Sequence, residues 1–365
     1  MRTYTSLALA IFVTAFMFAC GKSDSSSEAS KGSATSKPSG KNESSEESAD
    51  AKLVVKVLLD GLQNPSSLAC GDDGRMLVCD AGHGKVLLYE NGAAKDFLTG
   101  FDTEYWKVDA KTGAKRFLLG PISAIWLPDG SIVVSDAGKK DGADRLIFFK
   151  GAGTADSGMP TNGVPPTTKL EVDKGEGNPA GLVRGADGKI YACGQGADAK
   201  SWILVADPET KKLSPWASAD DNDIAINSPM QLIAWDESSL LCVYSGTGGK
   251  EDGLIVKWSL ETRKPVAQWN LPGIVDPMGM ARIPGSDDLV VVDNNWALTK
   301  VNVGKLARIS LGDGGKATVK IYEDVKLAGP VSCAFGPNDV LYVTQLGTHF
   351  DQEKGQLLSI SGIRP

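Results

Sequence analysis

Histidine is scarce in this sequence. Of 365 residues, only His83 and His349 are histidines, so a zinc site with three histidine ligands is excluded. The six cysteines include no Cys-x-x-Cys pair, which removes the usual signal of a zinc ribbon. A basic excess is also absent, since 45 acidic residues outnumber 38 basic ones and the net charge is −7. Nucleic acid is therefore not an expected partner.

No hydrophobic run reaches the roughly 20 residues that a membrane-spanning helix needs. The apolar segment 7–18 is shorter than that; it follows Arg2 and precedes Ala19 and Cys20. A positive start, a short apolar centre and a small residue before the break are typical of an export signal. The cysteine after Ala19 resembles that of a bacterial lipoprotein signal, which implies cleavage after Ala19 and a lipid on Cys20. An uncleaved anchor and a soluble exported protein are the alternatives.

The segment after the signal is polar. Residues 21–50 contain eleven serines and no aromatic or branched apolar residue, a composition that cannot offset the entropy of ordering. We therefore expect a signal peptide over 1–19, a lipidated cysteine and disordered tether over 20–50, and a folded domain over 51–365. In lipoproteins, the lack of Asp after Cys20 implies the outer membrane. The expected localisation is the cell envelope, facing the periplasm or the cell surface.

The folded part is built from one pattern that occurs six times. Each copy has a proline, a short apolar strand, a turn rich in Gly, Asp or Asn, and a second apolar strand. The prolines are spaced 48 to 58 residues apart, at Pro65, Pro121, Pro179, Pro229, Pro277 and Pro330. Two more strands follow in each full copy, as at 202–206 and 212–216. Four short strands in about 50 residues are the signature of a β-propeller blade.

The two ends of the repeat region complement each other. The last copy supplies three strands, and segment 53–59 at the start can supply the fourth. Sharing one blade in this way hides sheet edges and closes the ring. The sequence therefore predicts an all-β fold, a six-bladed β-propeller whose N-terminal strand completes the last blade. The first copy also carries an extra predicted hairpin, formed by 104–109 and 115–119.

Two segments of the first copy carry a family resemblance. Residues 64–69 and 73–86 resemble the NHL repeat and the related SMP-30/gluconolactonase propellers. The resemblance implies the propeller architecture, and that architecture supports enzymes and binding modules alike. The SMP-30 enzymes have a Glu at the start of their first inner strand and Pro-Asp-Gly at a later one. Here those places hold Asn64 and the segment 276–279, Asp-Pro-Met-Gly, which argues against lactone hydrolysis.

Propeller geometry would bring polar side chains from several blades to one face. Loops before the first strand and after the second strand of each blade lie around the same end of the central channel. The acidic and amide residues predicted there as cation ligands are Asp80, Asp136, Asn178, Asp276 and Asp293. Such oxygens could hold Ca²⁺ or another divalent cation. The alternative is that Asn and Asp before proline, or after a strand, simply form turns.

Other candidates lie in the same loops. His83 and His349 occupy matching positions in copies that become neighbours in a closed ring, so the pair could act as a general base. Trp296, Asn294 and Gln345 are the predicted ligand-binding residues, with Trp296 a stacking platform or a partly buried loop anchor. Among the cysteines, Cys70 and Cys79 could face each other across one hairpin.

Two functions stay open at this point. One is a lipid-anchored propeller that binds a small molecule or an envelope protein on its loop-rich face without catalysis. The other is a metal-dependent hydrolase, lactonase-like, that uses the Asp and Asn ring and one of the two histidines. A scaffold subunit of an envelope assembly is a third, weaker interpretation. No complete catalytic constellation in the sequence decides between them.

Overall fold

The computed structural model describes residues 52–108, 113, 115–140, 142–155, 158–160, 177–194, 201–210, 212–224, 226–295, 303–347 and 353–365. Residues Asp50–Pro365 make up one compact unit. Within the described residues, no helix is long and apolar enough to cross a membrane. Cys20, Trp296 and His349, and with them the whole of the signal and the tether, lie outside the described residues.

Short antiparallel strands dominate the structure. In chain order they are β1 Val54–Leu62, β2 Pro65–Cys70, β3 Met76–Asp80, β4 Lys85–Glu90, β5 Ala93–Thr99, β6 Glu104–Val108, β7 Lys115–Leu119, β8 Pro121–Trp126, β9 Ile132–Asp136, β10 Arg145–Phe149, β11 Gly153–Thr154, β12 Met159–Pro160, β13 Ala180–Arg184, β14 Ile190–Cys193, β15 Trp202–Asp207, β16 Lys212–Ser218, β17 Pro229–Asp236, β18 Ser239–Tyr244, β19 Leu254–Ser259, β20 Pro265–Asn270, β21 Pro277–Arg282, β22 Leu289–Asp293, β23 Lys305–Leu311, β24 Ala317–Ile321, β25 Pro330–Phe335, β26 Leu341–Gln345 and β27 Gly355–Ser361. Single 3₁₀ turns occur at Ala81–His83, Asp220–Asn222, Asp313–Gly315 and Pro337–Asp339.

These strands form the six predicted blades. Blade 1 is β2–β5 with β11 added in parallel, blade 2 is β8–β10 with β12, and blades 3 to 5 are β13–β16, β17–β20 and β21–β24. Blade 6 is β25–β27 with β1 as its outermost strand. Neighbouring inner strands contact each other all the way round, including β25 with β2. The predicted all-β, six-bladed β-propeller and its closure by the N-terminal strand are confirmed.

Apolar packing between blades holds the ring together. Each pair of neighbouring blades encloses its own cluster of buried side chains. The cluster between blades 3 and 4 contains Trp258, which is fully buried, and Trp216, whose rings meet edge to face at 6.2 Å. Second strands are buried on both faces, which explains their continuous apolar runs.

The residue before the repeated proline has a left-handed backbone conformation in four of the blades. Asn64, Asn178, Ser228 and Gly329 all have φ between 45° and 63°. Asn and Gly adopt this left-handed conformation more readily than other residues. A backbone requirement therefore accounts for the asparagines at these positions without any ligand.

A β-bulge follows the proline in five of the blades. The pairing with the second strand skips the residue after Pro65, Pro121, Pro229, Pro277 and Pro330. The residue after the bulge must be small where neighbouring inner strands lie close together. At Gly279, an added Cβ would lie 2.8 Å from Ser332 Cα of the neighbouring blade. This crowding agrees with the small residues seen in the sequence, and the bulged residues are free to line the axis.

Candidate functional site

The central channel contains a cavity of about 130 Å³. Its wall is formed largely by the residues one place after each proline, five of them bulged, which the sequence analysis left without a role. These wall residues are Ser66, Ile122, Ala180, Met230, Met278 and Val331. Most are apolar, so the middle of the propeller is a hydrophobic pocket. The sequence already shows this lining, because an apolar residue directly follows the proline in five of the six copies.

The hairpin β6–β7 covers one end of this cavity. Trp106 and Phe117 line the cavity from above, with ring centroids 5.8 Å apart. The Leu118 backbone N–H donates to Asn64 Oδ1 at 3.2 Å, which ties the hairpin to the start of blade 1. We call this end of the channel the hairpin face. The sequence predicted the hairpin but not its position over the axis.

The backbone of the hairpin is unusual at Phe117. This residue is buried and has a φ of 57°, a left-handed conformation that is strained for a bulky side chain. At its base, a Cβ on Gly120 would lie 2.3 Å from the Ala81 carbonyl oxygen. Close packing thus holds the hairpin against blade 1 in a strained shape.

Polar side chains on the inner strands are engaged in bonds between blades. Ser66 Oγ donates to the Pro121 carbonyl at 3.1 Å, and Ser123 Oγ accepts the Leu182 N–H at 3.2 Å. Gln231 Oε1 accepts the Met280 N–H at 3.0 Å. These bonds join blades 1 to 2, 2 to 3 and 4 to 5, so they serve the ring itself.

The last residue of several second strands holds the loop at the start of the same blade. Asp80 accepts the Gln63 N–H at 2.8 Å, and Asp293 accepts those of Val275 and Asp276 at 3.1 and 2.8 Å. Gln345 does the same with the Ala328 N–H at 2.8 Å. All three side chains are buried. This arrangement is the turn-forming alternative that the sequence left open.

The loop at the start of blade 3 is held by an acid of blade 2, not by the last residue of its own second strand. Asp136 forms an ion pair with Arg145 at 2.5 Å. Asp144 accepts the Asn178 N–H at 2.7 Å and the Lys139 N–H at 3.1 Å, so it holds the start of blade 3. The sequence analysis did not single out Asp144, because it lies within a polar loop and not at the end of a strand.

The remaining predicted residues of blade 5 are also bonded. Asn294 Nδ2 donates to the Pro330 carbonyl at 2.9 Å, linking blade 5 to blade 6. Asp276 Oδ1 accepts the Gly249 N–H at 3.1 Å. Burial raises the pKa of the Asp293 carboxyl, although the N–H groups of Asp276 and Val275 oppose the shift.

His83 is partly exposed and lies between two carboxylates. Its Nδ1 is 2.8 Å from Asp80 Oδ2, and its Nε2 is 3.3 Å from Glu353 Oε1 in blade 6. Burial alone would lower the pKa of His83, but the two carboxylates outweigh it and the pKa is raised. Burial raises the pKa of Asp80, opposed by the Gln63 N–H and by His83. Glu353 is a partner that sequence spacing did not suggest.

The acidic residues among the predicted cation ligands do not form a metal-binding cluster in the described part of the chain. Within it, no three His, Cys, Asp or Glu side chains converge where one ion could touch them. The oxygens of Asp80 and Asp293 that face the loops already accept backbone N–H groups. The Ca²⁺ site that the sequence analysis inferred from a ring of Asp and Asn oxygens stays a prediction.

The cysteines in the described part of the chain are free thiols. Cys70 is paired with Met76 and Cys79 with Ser67, so the two do not face each other across the hairpin. Burial raises the pKa of each of these two thiols to about 12. Neither thiol is therefore suited to act as a nucleophile.

Comparisons with known proteins bear on the fold. Neither a protein-family model nor a curated protein matches the sequence. Among similar solved structures, a gluconolactonase from Xanthomonas campestris is 13% identical, with a TM-score of 0.54 over 84% of this chain and 89% of that one. The apo form of a soluble aldose sugar dehydrogenase from Escherichia coli is 17% identical, with a TM-score of 0.53 over 86% and 100%.

A third similar structure is the PQQ-bound form of an aldose sugar dehydrogenase from Streptomyces coelicolor. It is 17% identical, with a TM-score of 0.52 over 85% of this chain and 99% of that one. What is shared is the six-bladed propeller. The predicted likeness to gluconolactonase-type propellers is thus confirmed as a likeness of fold, and the proteins compared include two kinds of sugar enzyme.

Proposed function

We propose that this chain is a lipid-anchored protein of the bacterial cell envelope whose propeller binds a ligand or a protein partner on the hairpin face, without catalysis. The observation that carries this proposal is the covered axial cavity, to which all six blades contribute. Around its mouth, Asp80, Asp293 and Gln345 accept backbone N–H groups. Side chains engaged in this way support the fold, which gives these polar residues a role that needs no substrate.

The lipid anchor is tested with Cys20→Ser. Cells expressing the wild type or the variant are fed an alkyne-labelled fatty acid and separated into membrane and soluble fractions. We expect label and membrane location for the wild type, and the loss of both for Cys20→Ser. Cys70→Ser is the matched control and should keep both. Label on Cys20→Ser would show that this anchor assignment is wrong.

Binding on the hairpin face is tested by crosslinking in intact cells. A photoreactive amino acid replaces Thr103, an exposed residue just before β6, or, as a control, Val266, which is exposed on β20. We expect one discrete adduct, identified by mass spectrometry, from position 103 and none from position 266. Equal adducts from both positions, or none, would count against the proposal.

A cation-dependent hydrolase is the second candidate. The observation that favours it is the contact between His83 and Asp80 at 2.8 Å, which could orient the ring as a base. The test is a panel of lactones with Ca²⁺ or Mn²⁺, using wild type and His83→Gln. If a cation binds, a concentration of 100 times its Kd should add about 2.7 kcal/mol to the unfolding free energy. Turnover that needs the cation and is lost in His83→Gln would overturn the non-catalytic proposal.

A further inference from the structure

The axial cavity has the size and lining of a site for a small apolar molecule. Its volume is about 130 Å³, and Ile122, Met230, Met278, Val331 and Leu346 form much of its wall. Cavities of roughly this size with apolar walls stay dry and bind molecules of the size of benzene. Asn64, Ser67, Asn178 and Ser332 also line the cavity, so a smaller part of its wall is polar.

Several polar groups on the inner strands are already engaged and add little to the recognition of a sugar. Ser66 Oγ, Ser123 Oγ and Gln231 Oε1 each bond to the backbone of a neighbouring blade. Burying a hydroxyl without a hydrogen-bond partner is unfavourable. A polyhydroxylated ligand would bring several such groups into the cavity, whereas an apolar ring or a short alkyl chain brings none.

The hairpin adds aromatic rings to the cavity wall. Trp106 and Phe117 cover the cavity, and Phe117 keeps a φ of 57° although it is buried. Backbone strain of this kind persists where the surrounding structure enforces it, and it tends to cluster at ligand clamps. The strained residue is one that lines the cavity, so strain and pocket coincide on the same side chain.

We propose that the axial cavity beneath the β6–β7 hairpin is a binding site for a small uncharged apolar molecule, an aromatic ring or short alkyl group of about the size of benzene. This inference rests on the proposed binding function and gives it a ligand class. Toluene is the probe, and glucose is the polar comparison.

The first experiment measures toluene binding to the full chain by calorimetry. We expect saturable one-to-one binding of toluene and none of glucose. Val331→Phe, which fills the cavity, should weaken toluene binding at least tenfold. Val266→Phe makes the same replacement on the exposed surface of β20 and should leave the affinity unchanged. The proposal fails if the wild type does not bind toluene, or if Val331→Phe binds it as tightly as the wild type does.

A second measurement uses only the wild-type chain, so it does not depend on whether a cavity variant folds. With ¹³C-labelled methionine methyl groups, toluene in the cavity should shift the Met230 and Met278 resonances through its ring current. Met280, on the same strand as Met278 but outside the cavity lining, is the control and should shift far less. Shifts of similar size at all three methionines would place toluene elsewhere and overturn the proposal.

The outcomes separate this inference from the proposed function. A discrete adduct at position 103 together with no toluene binding would leave the binding function standing and refute the apolar cavity site. Toluene binding in the cavity together with His83-dependent lactone turnover would refute the non-catalytic function and support the cavity site.

Discussion

Single side chains at the ends of the second strands hold the loop that leads into the first strand of the same blade. Asp80, Asp293 and Gln345 each accept an N–H that lies one or two residues before the proline of their own blade. Buried backbone N–H groups need an acceptor, and these loops have no strand partner that could supply one. The ring of polar residues is therefore explained first by the needs of the backbone.

Removing the Asp293 carboxylate should destabilise the fold. Asp293→Ala leaves the N–H groups of Val275 and Asp276 without their acceptors, and each such loss costs about 1–3 kcal/mol. We expect a loss of about 3 kcal/mol in the unfolding free energy, measured with urea. Asp293→Asn keeps one acceptor oxygen and should lose about half as much. A loss below about 0.5 kcal/mol for the alanine variant would contradict this role.

The raised pKa of His83 makes stability depend on pH. A histidine whose pKa is higher in the folded state binds its proton more tightly there, so its contribution is complete below about pH 6.5 and is lost as the pH rises through the folded-state pKa. We expect wild type to exceed His83→Gln in stability by more at pH 5.5 than at pH 8.5. Urea unfolding at the two pH values measures this difference.

Glu353→Gln is the control for this pH dependence. It removes one of the two carboxylates that raise the pKa of His83. In a Glu353→Gln background, the stabilisation that His83 gives should therefore change less between pH 5.5 and pH 8.5, but in the same direction. NMR titration of the His83 ring gives the folded-state pKa directly. A stability difference between wild type and His83→Gln that is the same at both pH values would show that the carboxylates do not stabilise the charged ring.

At the scale of elements, the hairpin β6–β7 distinguishes this propeller from a plain ring of four-stranded blades. It follows blade 1 and places Trp106 and Phe117 over the channel instead of extending the blade. The bond from Leu118 to Asn64 and the tight packing at Gly120 hold it there. An element without a blade of its own thus forms the cover of the candidate site.

The strain at Phe117 can be measured with two small residues. Both Phe117→Ala and Phe117→Gly remove the ring, but only glycine accepts a φ of 57° without strain, which costs other residues about 1–2 kcal/mol. We expect Phe117→Gly to be more stable than Phe117→Ala by about 1 kcal/mol in urea unfolding. An alanine variant as stable as the glycine variant would mean that the left-handed conformation carries no strain.

At the scale of the whole molecule, closure depends on β1. This strand pairs with β27 from Val54 with Ser361 to Leu62 with Gly355. It also supplies Leu62 to the cluster between blades 6 and 1. The two ends of the folded region are thereby joined in one sheet, which covers the edge of β27.

Removing β1 should open the ring. A chain starting at residue 52 keeps the strand, and a chain starting at residue 63 loses it together with buried Leu53 and Leu62. At about 1.5–3 kcal/mol for each buried leucine, we expect a loss of about 4 kcal/mol and aggregation through the free edge of β27. Calorimetry of both chains measures this. Equal unfolding midpoints would show that β1 is dispensable for closure.

The architecture could be predicted from the sequence because its signals are local and repeated. Pro65 and its five counterparts, the Gly and Asp turns and the apolar second strands each act within a few residues, and six copies reinforce one another. The hairpin over residues 104–119 was predicted for the same reason. The roles of Asp80 and Asp293 were not, because the choice between a backbone N–H and a cation depends on bulges and rotamers at the ångström scale.

The sequence by itself determined the number of blades, the strand that closes them and the face to which the polar loops belong, because periodicity leaves few other ways to bury these strands. Only the tertiary structure decided that the carboxylates hold loops, that Glu353 meets His83 and that residues such as Met278 enclose an apolar cavity under Trp106 and Phe117. The contact between His83 and Glu353 and the cavity wall join residues from different blades, and the carboxylate contacts depend on side-chain rotamers, so no spacing along the chain encodes these distances.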